Sequence, residues 1–600
     1  MQRIIFVLLI LFVCNPHSYS QSFSINTDGS IADTSAMLDI KSFAKGMLIP
    51  RMTKTQRNKI FQPASGLLVF QNGPDSTGFY FYDGSTWYWM YSTENMLYGD
   101  STSWNRSGNS GTNPSSNFVG TTDNQPLSFR VNNVKAGLLD HINHNTSLGT
   151  GSLMSYTGSN SVGVGDSTMF SSTTGSGNVA VGHAALRFNT TGNDNAAFGN
   201  NSLYKTTTGF GNTGTGSNTL FNNTTGHDNT ASGFLSLNQN TGGFQNTAIG
   251  SNALSSNTTG SDCTAIGMSA LFSNTTGFVN TALGFATLFS NTTGSFNTAL
   301  GEFSMNSNTT GTNNTASGNF SLQFNTTGSN NTANGIQALK LNTTGSNNTA
   351  TGINALFANT TGFQNTANGS FSLQSNTTGN NNVAIGLNTF INDTTGSGNT
   401  AVGNFAGDLA KNDNNNTFIG FGANNTSGIA LSNSTALGNG TAITASNQVR
   451  VGNSAVTSIG GKVDWTTLSD GRYKKNILQN VPGLLFILKL KPVTYNFDEQ
   501  ALNSFYKTGL RGNDNLLSTK EKIIYSGFIA QEVEKAAIEA GYDFSGVDKP
   551  KSEKDLYGLR YADFVVPLVK AIQEQQQTIT HLQEQLEILT KKVEQLLKNK

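Results

Sequence analysis

The chain carries a pattern of apolar and polar positions that recurs with a period of 17 over about two fifths of its length. Glycine recurs at this spacing from Gly158 to Gly396, and a second glycine follows seven positions after each of these, from Gly165 to Gly403. An alanine usually lies five positions after the first glycine, and a leucine, methionine or phenylalanine eleven positions after it. These are the reliably apolar positions, so we expect them to point inward. A fixed short period is typical of a solenoid, in which each repeat is one coil stacked on its neighbours.

Each repeat has the form Asn-Thr-Thr-Gly, two variable residues, Asn-Thr-Ala, one variable residue and Gly, as in 274–284. Two glycines per repeat fit two tight corners that join two short strands. The stacked asparagine and threonine side chains can form hydrogen-bond ladders along the rod. The pattern predicts a parallel β-solenoid, whose 15 coils at a strand spacing of about 4.8 Å extend over roughly 70 Å.

The core of such a coil is thin, because each repeat supplies one alanine and one larger apolar residue. A single rod also exposes the edges of its sheet, and both problems ease when chains associate along their length. The segments Ser434–Gly438 and Asn447–Asn453 resemble the end of the head in trimeric autotransporter adhesins, where three short-repeat β-rolls pack side by side. The resemblance implies a homotrimer, although the period of 17 is longer than is usual in those heads.

Residues 1–20 have the composition of a secretory signal peptide. A positively charged start is followed by an apolar run from Ile4 to Val13, and small residues occupy Ser18 and Ser20 ahead of Gln21. This order of segments is typical of exported proteins, and the apolar run is too short to span a bilayer stably. We therefore expect a secreted protein, extracellular or held at the cell surface, without an integral membrane segment.

Residues 21–98 have the pattern of a small β-rich module. The sequence predicts a strand over Gly66–Phe70, and a strand, a turn and a second strand over Gly78–Trp89. The segments 35–41 and 45–52 resemble the N-terminal module of exported, tail-fibre-like proteins of Bacteroidota. The aromatic cluster suits a sugar platform, but a strand pair that packs its own core is the simpler interpretation.

Charge is scarce in the rod and concentrated after it. Residues 158–403 hold nine Asp, Glu, Lys or Arg among 246, whereas the C-terminal end of the chain is rich in charge, so we expect a domain boundary near 465. The formal net charge is zero, so no bulk field favours nucleic acid or an anionic membrane as a partner. Glycan hydrolysis needs paired carboxylates, and the rod has only Glu302 and five scattered Asp, which argues against that activity.

The chain has two cysteines, and neither predicts a disulfide. Cys14 lies in the leader, and Cys263 takes the ladder position that Asn246 and Asn280 hold in other repeats. A substituted ladder position is a simpler account of Cys263 than a reactive thiol. The sequence shows no metal-ligand spacing, phosphate-binding loop or nucleotide fingerprint, so we expect no cofactor and no metal.

A serine–lysine pair follows the rod. Ser469 stands five positions before Lys474, and Asp470 and Lys475 are their neighbours in the chain. A serine hydroxyl becomes nucleophilic when a base takes its proton, and a desolvated, neutral lysine can be that base. Such a pair needs no histidine or aspartate, so the scarcity of histidine in this chain is no objection.

The segments 465–477, 488–495, 526–534 and 559–561 resemble the endosialidase-type intramolecular chaperone. This family is a self-cleaving peptidase domain at the ends of phage tail spikes and of myelin regulatory factor, and the resemblance covers about 465–600. It implies that such a domain trimerises the chains, cuts its own chain once and acts on no external substrate.

The same resemblance assigns roles to the residues of the pair. Ser469 is the implied nucleophile, Lys474 the implied general base, and Leu468–Ser469 the implied cleavage site. Asp470 matches the motif and is a candidate for orienting the pair. Lys475 is a second candidate for the base, and the five-residue spacing favours Lys474. The alternative is a domain that trimerises the chains and has lost cleavage.

The end of the chain predicts a parallel coiled coil. Apolar residues recur at every seventh position from Val565 to Val593, and a second series lies three positions later from Leu568 to Leu596, with Gln575 as its polar member. Five heptads of this kind are typical of a coiled coil. The isoleucines and leucines allow two or three chains, and both the rod and the family resemblance favour three.

These observations divide the chain into seven segments. They are a signal peptide (1–20), a β-rich N-terminal module (21–98), a polar connector (99–157), the regular β-solenoid repeats (158–403), a head-end or neck segment (404–464), an intramolecular chaperone auto-processing domain (465–563) and a coiled coil (564–600). The expected fold is mainly β, with a trimeric parallel β-roll or β-solenoid, then a small α/β chaperone domain and the coiled coil.

We therefore predict a secreted, trimeric, fibre-like surface protein or adhesin whose C-terminal chaperone trimerises the chains and then cleaves itself off. The expected partners are two further copies of the chain and a cell-surface glycan or protein receptor, and no nucleic acid. The alternatives are a fibre with a non-cleaving trimerisation domain, a glycan-binding or glycan-degrading protein like a tail spike, and a solenoid that binds ice through its threonines.

Overall fold

The computed structural model describes residues 22–73, 76–90, 108–463, 465–506, 521–551, 553 and 555–599. The predicted signal peptide and residues 91–107, which include part of the predicted connector, lie outside these residues. The chain forms two compact units, which meet in sequence between Gly120 and Thr121. In the part that is described, no helix is both long enough and apolar enough to cross a membrane.

The first unit contains two small sheets. Its strands are β1 (Phe23–Asn26), β2 (Leu38–Lys41), β3 (Arg51–Met52), β4 (Leu68–Gln71), β5 (Gly78–Tyr82) and β6 (Trp87–Trp89). β1 pairs in parallel with β2, and the second sheet has the order β3–β4–β5–β6. Helix α1 (Lys54–Arg57) begins at Thr53, whose hydroxyl accepts a hydrogen bond from the backbone N–H of Gln56. The strands predicted within 66–70 and 78–89 are thus confirmed.

The aromatic side chains of this unit pack on one another across the strands. Tyr80 stacks on Trp89 with ring centres 6.5 Å apart, and Phe81 stacks on Tyr88 at 5.6 Å. The buried guanidinium of Arg57 lies 4.2 Å from the centre of the Tyr80 ring, where the ring face attracts a cation. This packing agrees with the interpretation of a strand pair that builds its own core.

The second unit is built on a long parallel β-solenoid. An antiparallel hairpin of β7 (Leu127–Val131) and β8 (Val134–Asp140) leads into β9 (Asn145–Leu148), which pairs in parallel with β10 (Val162–Val164). From β10 to β25 (Thr417–Ile419), the strands are equally short and follow one another at the constant spacing of the sequence repeat. The strands between them are β11 (Val179–Val181), β12 (Ala196–Phe198), β13 (Thr213–Thr215), β14 (Thr230–Ser232), β15 (Thr247–Ile249), β16 (Thr264–Ile266), β17 (Thr281–Leu283), β18 (Thr298–Leu300), β19 (Thr315–Ser317), β20 (Thr332–Asn334), β21 (Thr349–Thr351), β22 (Thr366–Asn368), β23 (Val383–Ile385) and β24 (Thr400–Val402).

The spacing changes in the last coils. β26 (Asn424–Asn425) pairs in parallel with β28 (Ala442–Ile443) on a second side of the coil. The main sheet continues from β25 through β27 (Thr435–Leu437) to β29 (Val449–Val451). The regular repeat therefore ends at β25, and two irregular coils close the rod.

Each regular coil has one strand, so the prediction of two strands per coil was wrong. Residues outside the strand lie in turns, and several non-glycine residues there have positive φ, such as Asn252 at 59° and Leu254 at 50°. Positive φ is incompatible with an extended strand. The turns still pair between coils, as in the hydrogen bond from the Leu254 N–H to the Ala270 carbonyl oxygen at 2.9 Å.

The positions predicted to point inward form the core of the rod. Ala248 in the middle of β15 and Leu254 six positions later are fully buried, and the same holds along the rod. Close stacking of the coils also depends on the second series of glycines, from Gly165 to Gly403. A Cβ added to Gly250, whose φ is 129°, would lie 2.6 Å from the carbonyl oxygen of Gly267 in the next coil. The fixed glycines therefore let neighbouring backbones approach closely.

Buried asparagines form two hydrogen-bond ladders inside the rod. In one ladder, Asn274 Nδ2 donates to Asn257 Oδ1 of the preceding coil at 2.8 Å. In the other, the backbone N–H and the Nδ2 of Asn246 donate to Asn229 Oδ1 at 3.0 and 3.1 Å. Thr258 Oγ1 donates to a backbone carbonyl of the next coil at 3.0 Å. The predicted ladders are confirmed, and they satisfy polar groups that burial would otherwise leave unpaired.

Cys263 interrupts the second of these ladders. Its backbone N–H still donates to Asn246 Oδ1 at 3.0 Å, and its Sγ lies 3.5 Å from the carbonyl oxygen of Gly277. The thiol is buried and free, and burial raises its pKa to about 11. Because the thiolate is the reactive form, burial disfavours reaction at Cys263, which agrees with its interpretation as a substituted ladder position.

The residues after the rod form a small α/β domain. β30 (Val493–Tyr495) pairs antiparallel with β31 (Tyr525–Gly527), and β32 (Val547–Asp548) pairs antiparallel with β33 (Gly558–Leu559). The helices are α2 (Leu484–Ile487), α3 (Glu499–Tyr506), α4 (Ala530–Glu539) and α5 (Val565–Lys598), with 3-10 turns at Gly471–Tyr473 and Tyr561–Phe564. The core of the domain includes Phe486, Val533, Phe544 and Phe564.

Helix α5 covers the segment that the heptads predicted. It buries Pro567 and Ala571 near its start. The heptad positions further along, such as Ile579 and Leu589, are exposed in the single chain by 41% and 57%. The helix is therefore confirmed, and its association with other helices stays a prediction.

Candidate functional site

The predicted Ser–Lys pair lies in the exposed segment that joins the rod to the α/β domain. Asp470 caps the 3-10 turn Gly471–Tyr473, because its Oδ1 accepts a hydrogen bond from a backbone N–H of the turn at 2.9 Å. The turn closes where the Lys474 N–H donates to the carbonyl oxygen of Gly471 at 3.2 Å. This short turn allows the Lys474 side chain to reach back to Ser469.

The two predicted catalytic side chains are in contact. Lys474 Nζ donates a hydrogen bond to Ser469 Oγ over 2.7 Å. That separation lies within the range of about 2.6–3.2 Å over which a base can take a proton. Among the described residues, the structure places Lys474 rather than Lys475 beside the serine.

Asp470 pairs with a residue that sequence reasoning did not single out. Its carboxylate accepts hydrogen bonds from Arg472 Nε at 2.9 Å and from Nη2 at 2.6 Å. The Arg472 side chain and its backbone N–H hold the pKa of Asp470 below its usual value. The side chain of Asp470 therefore holds the turn between Ser469 and Lys474 in place.

Exposed apolar residues flank the pair in the sequence. Trp465 is 89% exposed and Leu468 is 83% exposed, and Tyr473, Ile477 and Leu478 are exposed as well. A lysine acts as a base in its neutral form, which desolvation favours. Lys474 is exposed in the single chain, as are these apolar residues. In the sequence, this exposed apolar surface was visible as a group of apolar residues beside a polar motif.

Other segments that carried the family resemblance meet inside the domain. Tyr561 Oη accepts a hydrogen bond from the Phe528 N–H at 3.1 Å, and the Phe528 ring stacks on Phe564 with centres 5.4 Å apart. β30, from the segment 488–495, pairs with β31 just before Phe528. These segments therefore contribute to the domain core. The hydrogen bonds described above do not join them to the Ser–Lys pair. Within the described residues, no group of three His, Cys, Asp or Glu is placed to hold a metal ion.

Two family models match the chain. Residues 24–115 match a phage tail like trimerisation region, and residues 469–542 match the chaperone of endosialidase. The second match begins at Ser469, the candidate nucleophile. None of the curated proteins compared with the chain matches it. With the solenoid between them, the two matches support a trimeric, tail-fibre-like protein that carries a chaperone domain.

Proposed function

We propose that this chain is a secreted, homotrimeric surface fibre or adhesin, and that its C-terminal chaperone domain aligns three chains and then cuts itself off between Leu468 and Ser469. One observation supports the proposed cleavage most directly. Lys474 Nζ lies 2.7 Å from Ser469 Oγ, and Ser469 is the first residue that matches the endosialidase chaperone. The fibre is supported by the two family matches and by the rod between them.

The proposed cleavage begins when neutral Lys474 takes the proton of the Ser469 hydroxyl. Oγ attacks the carbonyl carbon of Leu468, and the C–N bond breaks as Lys474 returns the proton to the Ser469 nitrogen. The chain is then joined through an ester between Leu468 and Ser469 Oγ. Water hydrolyses that ester, which leaves a carboxylate on Leu468 and restores the serine hydroxyl. The products are the fibre that ends at Leu468 and a chaperone fragment that begins at Ser469.

Trimer formation provides the condition that this chemistry needs. Several apolar residues close to the pair in sequence are exposed in the single chain, namely Trp465, Leu468, Tyr473, Ile477 and Leu478. When three chains pack together, contact between these residues removes water from the lysine and favours its neutral form. Cleavage would then follow correct assembly and not precede it.

The distribution of exposed apolar residues supports assembly at both ends of the chain. In the N-terminal unit, Ile31, Phe43 and Phe61 are at least 87% exposed, which is unusual for large apolar side chains. At the other end, the heptad residues of α5 form an exposed apolar stripe. We therefore propose that three copies bury these surfaces, with α5 forming a parallel three-stranded coiled coil.

Mass spectrometry of the purified protein that begins at Gln21 tests the proposal. We expect two fragments that meet at Leu468 and Ser469, and a single intact chain in Ser469→Ala and in Lys474→Ala. Lys475→Ala is the matched control, and it should still cleave. An intact wild-type chain that is trimeric in solution would reduce the domain to a trimerisation module, and an intact monomer would also contradict the fibre.

A further inference from the structure

The rod meets the α/β domain at a buried carboxylate. Asp555 lies between β32 and β33, and its side chain is 5% exposed. Its Oδ1 accepts hydrogen bonds from Thr444 Oγ1 at 2.7 Å and from Gln448 Nε2 at 3.3 Å, both in the last coil of the rod. Arg450 Nη2, on β29, lies 3.9 Å from the same oxygen. Three rod side chains thus converge on one carboxylate of the domain.

The domain holds this carboxylate in place from its own side. The Lys551 N–H donates to Oδ2 at 3.1 Å, and the Leu556 N–H donates to Oδ1 at 3.0 Å. Burial opposes the ionisation of Asp555, but the hydrogen bonds from Thr444, the backbone and Gln448 outweigh it and hold the pKa of Asp555 below its usual value. The carboxylate is therefore ionised at neutral pH and aimed at the rod.

The two apolar cores do not extend across this junction. The rod core ends with Ile443, and the core of the α/β domain is a separate cluster around Phe486 and Phe564. Within the described residues, the two cores share no side chain. The contacts named above at this junction are polar, and a buried charge that loses its partners is costly.

We propose that Asp555 docks the chaperone fragment on the last coil of the rod and keeps it there after the chain is cut between Leu468 and Ser469. This inference rests on the proposed cleavage. The contact joins residues on the two sides of the cut, since Thr444, Gln448 and Arg450 precede it. The chain between Ala455 and Ser469 is exposed wherever the structure describes it, so breaking it removes no buried contact. The partner is thus the end of the rod, recognised through its hydroxyl, amide and guanidinium groups.

A test with an external protease separates docking from self-cleavage. In full-length Ser469→Ala, a recognition sequence for a site-specific protease replaces residues 457–462 of the exposed link. The protease then cuts the folded protein, and size-exclusion chromatography shows whether the fragments stay together. We expect them to co-elute, and we expect Asp555→Ala to weaken their association at least tenfold and separate them. Asp548→Ala is the matched control, because it removes an ion pair to Arg560 inside the domain and touches no rod residue named above.

A variant on the rod side tests whether separation in Asp555→Ala results only from misfolding of the domain. Thr444→Val combined with Gln448→Leu leaves the chaperone sequence intact and should separate the fragments as Asp555→Ala does. Circular dichroism checks that α5 remains helical in each variant. Fragments that separate when the junction is unaltered, or that stay together in both variants, overturn the docking proposal. Neither result bears on whether wild-type Ser469 cleaves, which is measured on the uncut protein.

Discussion

At the scale of single residues, the rod depends on its repeated buried positions and on the few places where another residue replaces the usual one. Asp413 is one such position, because it follows Gly396 by one full repeat and so takes the place of a ladder glycine. Its Oδ1 accepts hydrogen bonds from the Leu431 N–H at 2.9 Å and from Asn425 Nδ2 at 3.1 Å. Burial raises the pKa of Asp413 to about 6, and the negative charge of Asp393 acts in the same direction.

We predict that this carboxylate makes the rod less stable as pH rises. Between the ordinary pKa of 3.8 and the folded value of about 6, the folded state binds the proton more tightly than the unfolded chain does. Its stabilising effect is therefore complete below about pH 4 and is lost as pH rises through 6. Asp413→Asn should reduce this dependence and stabilise the rod at pH 7, on the order of 1–2 kcal/mol.

Thermal unfolding followed by circular dichroism from pH 4 to pH 7 measures this effect. Asp262→Asn changes an exposed aspartate of the rod and is the matched control, which should leave the pH profile as it is. If Asp413→Asn keeps the same profile as the wild-type protein, the ionisation of Asp413 is not coupled to folding.

At the scale of elements, helix α5 is the clearest case of a segment that is incomplete alone. It has 34 residues, and its apolar heptad residues are exposed from the first turn onward, whereas Pro567 and Ala571 are buried against the domain. A stripe of large apolar residues in water is unfavourable, and burial between helices removes it. Gln575 is the single polar residue in the two heptad series that would form the interface between helices, and it is suited to fixing their register.

We predict that Leu582→Asp combined with Leu586→Asp abolishes the trimer. Each change places a charge in the seam and removes packing that is typically worth about 2–5 kcal/mol. Sedimentation equilibrium should then find monomers, and the self-cleavage should be lost with them. Ile588→Asp makes the same change of polarity on the same helix outside the two heptad series, so this control should remain trimeric. A trimeric double variant would show that α5 does not hold the chains together.

At the scale of the whole molecule, the repeats that make the rod regular also make it difficult to assemble. Neighbouring coils are nearly identical in sequence, so a chain displaced by one repeat buries almost the same groups. Slipped registers between chains are therefore a folding hazard. The chaperone domain proposed here would remove this ambiguity by aligning the chains before the rod folds.

We predict that the cut fibre, once separated from its chaperone, cannot refold. Uncut Ser469→Ala should regain trimers after dilution from guanidinium, because its chaperone sets the register again. The fibre that ends at Leu468 should give aggregates or slipped oligomers under the same conditions, since its native state is kinetically trapped. The yield of trimer by light scattering measures both. Equal yields would contradict a role of the C-terminal domain in register.

Much of the rod could be predicted from the sequence because its causes are local. The period places Ala248, Leu254 and their equivalents inward along the rod, and the repeated asparagines must pair because burial leaves them no water. The number of strands per coil could not be predicted in this way. The glycines show where the backbone bends, whereas the positive φ at Asn252 and Leu254 depends on how one coil stacks on the next.

In the candidate site, too, some features could be predicted from the sequence and others could not. The pair of Ser469 and Lys474 was predicted from the family resemblance together with the five-residue spacing, and a short turn is enough to bring the two side chains together. The pairing of Asp470 with Arg472 depends on the conformation of that turn. The hydrogen bond between Asp555 and Thr444 joins residues 111 positions apart, and no local sequence pattern predicts it.

The sequence by itself therefore determined the solenoid, its inward positions, its ladders, the long C-terminal helix and the candidate pair. The solenoid, its ladders and the helix follow from a periodicity, and the pair combines a short spacing with the family resemblance. The tertiary structure decided which turns replace the second strand and which side chains face one another across the end of the rod. Those contacts depend on residues distant in sequence, whose distances are fixed when the coils and the domain pack.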